Sequence, residues 1–125
     1  MHTAIIIDDS KTSRSVLRTI LEKNGYEIVA EAANGEEGFE KYCDLHPDFV
    51  TLDITMPVMD GIQTLVKIKE YDPGAKVIMV TAAGQKGKMV DAIKLGAAEF
   101  VTKPFETDQI ISCLLYTSPS PRDTR

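Results

Sequence analysis

No apolar run in the chain approaches the roughly 18 residues that a membrane-spanning helix requires, and the N-terminus lacks a signal-peptide pattern. These two absences predict a cytoplasmic protein with no membrane partner. Cysteine is scarce. Cys43 and Cys113 have no metal-ligand spacing, and a disulfide between them is not expected in that compartment. A basic excess is also missing: the net charge of −5 argues against nucleic acid as a direct partner. Neither an internal repeat nor a low-complexity linker interrupts residues 1–112. At 125 residues there is room for one domain with one sizeable core.

What is present is a strict alternation of short apolar runs and helical periodicities. Thr3 to Ile7 is rich in isoleucine and ends at Asp8-Asp9-Ser10, which reads as a buried strand followed by an acidic turn. Val16, Leu17, Ile20 and Leu21 recur at helical spacing up to Asn24, and Gly25 closes that helix. Tyr26 to Ala30 supplies a second strand. Asn34 with Glu37 three residues on resembles a capping box, opening a helix expected to bury Phe39 and Tyr42 and to end before His46-Pro47.

Asp48 to Leu52 is a third strand, running into Asp53; the chain then breaks at Met56-Pro57 and restarts as a helix near Asp60-Gly61. Ile62, Leu65, Val66 and Ile68 mark that helix, which Asp72-Pro73-Gly74 ends. Lys76 to Val80 forms a fourth strand. Met89, Val90 and Ile93 mark a fourth helix stopping at Gly96, Glu99 to Val101 a fifth strand, and a fifth helix begins near Glu106. This alternation predicts an α/β, three-layer, doubly wound parallel sheet of the flavodoxin-like order 2-1-3-4-5.

Strands that all point one way share one edge for their ends. Asp8 and Asp9 after the first strand, Asp53 after the third, Thr81 after the fourth and Lys103 after the fifth are expected together there. Three converging carboxylates repel one another, and a hard divalent cation removes that repulsion, Mg²⁺ first with Mn²⁺ as a substitute. The cation, Thr81 and Lys103 acquire a common purpose if a phosphoryl group sits on Asp53. Each could take one of its equatorial oxygens while the Asp53 carboxylate acts as nucleophile.

Five segments in order carry a family resemblance: Asp8-Asp9-Ser10 after Ile5-Ile6-Ile7, Leu52-Asp53 through Asp60-Gly61, Val80-Thr81 through Gly84, Phe100, and Lys103-Pro104-Phe105. Together they resemble the receiver domain of two-component response regulators, and most closely its single-domain chemotaxis members. The resemblance covers residues 4 to about 112. It implies that Asp53 accepts phosphoryl from a histidine kinase. Asp9 and Asp53 would ligate Mg²⁺ directly with the Thr55 backbone carbonyl, Asp8 mainly through water.

Lys103 would pair with the phosphoryl oxygens, and a cis Lys103-Pro104 peptide is expected. Thr81 would be the switch hydroxyl and Phe100 the switch aromatic. Their movement would reshape a surface of helix four, strand five and helix five, read by an output protein such as the flagellar motor switch. Thr55 and Ala83 would tune the attack of water on the acyl phosphate. A monomer is expected, with self-catalysed phosphotransfer and dephosphorylation rather than turnover of a substrate.

Two rivals keep the same acids in use. A receiver could belong to a larger transcriptional or enzymatic response regulator. A haloacid-dehalogenase-type phosphohydrolase also uses an aspartate nucleophile with Mg²⁺. That class, however, wants a second aspartate two residues on, where this chain has Thr55, and its nucleophile follows the first strand.

The composition changes after Ser112. The run from Cys113 to Asp123 resembles the in-frame translation of a transposon-based sequencing-library adapter, with Pro119 and Pro121 unable to continue a helix. The expected division is therefore a receiver domain over 1–112, its last helix truncated, and a non-native tail over 113–125. Removing the tail's two arginines and one aspartate takes the net charge from −5 to −6.

Overall fold

The structure, a computed structural model, describes residues 2–54, 59–81, 86–103 and 110. Five parallel strands, β1 (His2–Ile7), β2 (Tyr26–Ala32), β3 (Phe49–Asp53), β4 (Val77–Thr81) and β5 (Glu99–Thr102), lie in the order β2-β1-β3-β4-β5. Helices α1 (Lys11–Lys23), α2 (Gly35–Leu45), α3 (Gly61–Tyr71) and α4 (Lys86–Lys94) connect them. This is the expected doubly wound sheet. Of the fifth helix only Ile110 is described; it is helical and buried.

The sheet is buried on both faces because its strands are apolar on both faces. On one side Leu17 and Leu21 of α1, with Ile110, pack on Ala4, Ile6, Phe49, Ile78, Val80 and Val101. On the other, Tyr42 of α2, Leu65 and Ile68 of α3 and Ala92 of α4 pack on Ile5, Ile7, Val50, Leu52, Val77 and Met79. Each large aliphatic side chain taken fully from water contributes about 1.5–3 kcal/mol. Two such layers hold the strand ends in register.

Each helix start has a local cause. The Ser10 side chain accepts from the Ser13 N–H at the start of α1, and Asn34 accepts from Glu37 N–H at the start of α2. The Glu37 carboxylate returns to the Ala33 N–H, one residue earlier than a capping box requires. The reciprocal box is at α3, between Asp60 and Gln63. Tyr42 is buried with its hydroxyl donating to Asp72 at 2.7 Å. Burial first, and that bond second, push its phenol pKa up.

Several expectations need correction. Phe39 is half-buried rather than buried, with the Lys67 ammonium 5.2 Å from its ring centroid. Val16 is exposed on α1. On α4, Val90 and Ile93 turn outward, 53% and 45% exposed, and Ala92 faces the core instead. The residues that mark this helix divide: Met89 packs against the core layer with Ala92, while Val90 and Ile93 do not. Strand β2 runs to Ala32, two residues beyond the expected end, and its register with β1 slips between Ala4 and Ile5, leaving Val29 as a bulge.

Candidate functional site

Asp8, Asp9 and Asp53 meet at the carboxyl edge of the sheet, each offering a carboxylate oxygen within 4.8 Å of the others. Topology causes this: β1 and β3 are neighbours, paired from Ala4↔Phe49 to Ile7↔Leu52, so the residues that follow end side by side. Asp8 is 1% and Asp53 5% exposed, whereas Asp9 opens to solvent. Asp8 is tied down locally, its Oδ1 accepting from the Ser10 N–H at 2.8 Å.

Lys103 reaches this group from the end of β5. Its ammonium lies 3.2 Å from Asp8 Oδ2 and 3.5 Å from Asp53 Oδ2. The first contact is an ion pair without hydrogen-bonding geometry, since Asp8 Oδ2 is buried with no hydrogen-bond partner among the described residues. Burial works to lower the Lys103 pKa, but the charge of Asp53 and the contact with Asp8 outweigh it, and the net shift is upward. The residue is held as a cation.

Thr81 ends β4 fully buried, and its Oγ1 has no hydrogen-bond partner among the described residues. A buried hydroxyl in that condition is costly and suits a site that receives an oxygen-rich group. Phe100 is half-buried and packs against the core layer shared with α2, α3 and α4. The edge thus brings together Asp8, Asp9, Asp53 and Lys103, with Thr81 on the adjacent strand end. Thr55, Ala83 and Pro104 lie outside the described residues.

Gly61 has a sharper reason than a turn. A Cβ there would overlap the Asp53 carbonyl oxygen and approach Ile54 Cα to 2.6 Å. The Gly61 N–H donates to the Ile54 carbonyl at 2.7 Å. The start of α3 is therefore seated directly on the backbone of the putting-forward acid, Asp53. Arg14 was not foreseen: its Nη1 donates to the Asp8 carbonyl at 2.6 Å and its Nε to Glu31 at 3.1 Å.

The carboxylate oxygens fit a hard cation such as Mg²⁺. The convergence of three carboxylate oxygens within 4.8 Å of one another, on two buried acids and one open to solvent, is the observation that supports the fit. Chemically the edge offers a nucleophilic carboxylate and a fixed cation, with a buried hydroxyl at the end of the neighbouring strand. That is suited to holding a phosphoryl group.

The chain belongs to the response regulator receiver domain family, whose profile matches residues 4–115. This places it in two-component phosphorelay signalling, a family that binds Mg²⁺ at an acidic pocket. Among curated proteins it is 49% identical to the chemotaxis protein CheY of Listeria monocytogenes, covering 91% of this chain and 96% of that one. It is 47% identical to Bacillus subtilis CheY, covering 90% and 94%. Among solved structures it superposes on a chain of the CheX-CheY-BeF3-Mg²⁺ complex from Borrelia burgdorferi with a TM-score of 0.87. That match has 38% identity and covers 91% of this chain and 87% of the other. No helix among the described residues is long and apolar enough to cross a membrane.

Proposed function

We propose that this receiver accepts a phosphoryl group on Asp53 from a histidine kinase and relays that state to an output partner in chemotaxis. The observation that carries the reading is the Lys103 ammonium held between Asp8 and Asp53, at 3.2 and 3.5 Å, beside the buried Thr81 hydroxyl. Relatives named chemotaxis protein CheY support the pathway.

In the proposed step an Asp53 carboxylate oxygen attacks phosphorus. The bond to the donor's histidine nitrogen breaks, and the nitrogen leaves with the electron pair and is protonated. Lys103 binds one phosphoryl oxygen and the Thr81 hydroxyl donates a hydrogen bond to another. Asp8, Asp9 and Asp53, with the Thr55 carbonyl, would hold Mg²⁺ (or Mn²⁺), which supplies positive charge against the phosphoryl oxygens. Water later cleaves the acyl phosphate and returns inorganic phosphate, so the chain is consumed and reset rather than turning over a substrate. The related complex carrying BeF3 and Mg²⁺ supports this chemistry.

Phosphorylation adds roughly −1.5 to −2 charge at the sheet edge. Thr81 moves toward it, the Phe100 ring turns inward, and the surface of α4, β5 and the fifth helix changes. Exposed Val90, Ile93 and Leu95 give that face apolar contact area. The flagellar motor switch is the proposed reader, the protein acting as a cytoplasmic monomer. Ala83 offers no polar group to position water, so self-dephosphorylation is slower than an acid or amide there would give; Ala83→Glu should speed it, measured as decay of label.

In this reading the receiver domain spans 1–112, and 113–125 is the adapter-derived tail. The test is incubation with acetyl phosphate and Mg²⁺ followed by intact mass. One phosphoryl group should add to the wild type and none to Asp53→Asn. Equal labelling of both proteins would defeat the reading.

A further inference from the structure

We propose that Arg14 is a positioning residue for the divalent-cation site, a role that rests on the reading of Asp8, Asp9 and Asp53 given above. Its guanidinium touches no carboxylate of that site. It grips the main chain behind it: Nη1 donates to the Asp8 carbonyl at 2.6 Å while Nε donates to Glu31 Oε1 at 3.1 Å. The side chains of Arg14 and Glu31 are 17% and 28% exposed, so the bridge is substantially shielded from water.

The Asp8 carbonyl belongs to the peptide that leads into Asp9, and a peptide unit is planar. Fixing that oxygen fixes the plane from which Asp9 departs. The other side of Asp8 is already held, its N–H donating to the Ala32 carbonyl at 3.0 Å and its Oδ1 accepting from Ser10 N–H. Asp9 is the exposed member of the carboxylate group, and its placement depends on this corner. Without Arg14 the Asp8-Asp9 peptide loses its one side-chain anchor among the described residues.

The bulge at Val29 makes the bridge possible. Ala4 pairs with Ile28 but Ile5 pairs with Ala30, so the residues after the slip change face. Ile6, which faces α1, is paired with Glu31. Glu31 is thereby directed at α1, where Arg18 also meets it at 2.6 Å. A bulge that re-aims one side chain next to a functional site is a recurrent device. Glu31 accepts from one Arg14 donor, Nε, and Arg14 holds the acidic turn through another, Nη1.

The test is calorimetric titration of the full chain with Mg²⁺ in the absence of any phosphodonor, alongside urea midpoints for each variant. Loss of an outer partner of a metal ligand commonly weakens affinity 10–100-fold; Arg14→Ala should weaken Mg²⁺ binding about tenfold by that measure. Arg14→Lys should recover part of it, since an ammonium can still reach the Asp8 carbonyl without bridging to Glu31. Glu31→Ala, which leaves Arg14 in place but untethered, should fall between them and wild type, and serves if Arg14→Ala does not fold.

A merely structural role would lower the urea midpoint and leave the affinity of the folded protein unchanged. Wild-type affinity in folded Arg14→Ala, or in Glu31→Ala where the former does not fold, overturns the proposal alone. Wild-type affinity in Asp9→Asn shows instead that the carboxylate site is misassigned, and the proposal falls with it.

Discussion

The main-chain N–H of Lys103 donates to the Thr81 carbonyl at 2.7 Å. The two residues that would grip different oxygens of a phosphoryl group are therefore fastened to each other through the backbone, where β4 and β5 end at the Thr81↔Thr102 pair. A displacement of one strand end is transmitted to the other without any side chain in between.

Lys103 should stabilise the resting protein as well as the reaction. Its ammonium offsets two buried carboxylates, so Lys103→Met should cost about 1–3 kcal/mol at neutral pH. The lysine pKa is raised above its ordinary value near 10.5, so its contribution is fully present below that value. It disappears as pH rises through the folded value. Urea melts of both proteins should differ most at neutral pH and converge in strongly alkaline buffer; a constant gap would count against the ion pair.

Thr81 makes the opposite prediction for stability and function. Its buried hydroxyl has no hydrogen-bond partner among the described residues, and Val replaces it with a methyl of similar shape. Thr81→Val should be as stable as wild type or up to about 1 kcal/mol more so, while its phosphorylation rate and partner response fall. A clear loss of stability would mean the hydroxyl is structurally satisfied.

Gly61→Ala should strike the site through the backbone. The added Cβ meets the Asp53 carbonyl oxygen and Ile54 Cα, neither of which is a flexible chain end. Overpacking of this kind costs about 1–3 kcal/mol. Equilibrium denaturation should show that loss together with slower labelling of Asp53; an unchanged midpoint would show that α3 can shift aside.

Strand order and the meeting of Asp8, Asp9, Asp53 and Lys103 were legible because strand ends in a parallel sheet share an edge, whatever the details of packing. Facing was less legible. Val90 and Ile93 obey helical spacing yet point outward, since periodicity identifies a stripe without saying whether the core takes it or the small Ala92 beside it. The Arg14–Glu31 bridge was not legible, because it depends on a bulge that changes the face of Glu31 and leaves no mark in a short strand. The Asp60–Gln63 box could have been found from its spacing alone. Glu37 illustrates the converse: its spacing suited a box, but its carboxylate reached Ala33 instead.

The acid at the end of β3, rather than Asp8 or Asp9 beside it, should carry the phosphoryl group. Borohydride reduction of the acetyl-phosphate-treated protein converts a phosphorylated aspartate to homoserine, and peptide sequencing by mass spectrometry locates it. The expected result is homoserine at residue 53 and aspartate unchanged at residues 8 and 9. Homoserine at 8 or 9, or at none of the three, would contradict it.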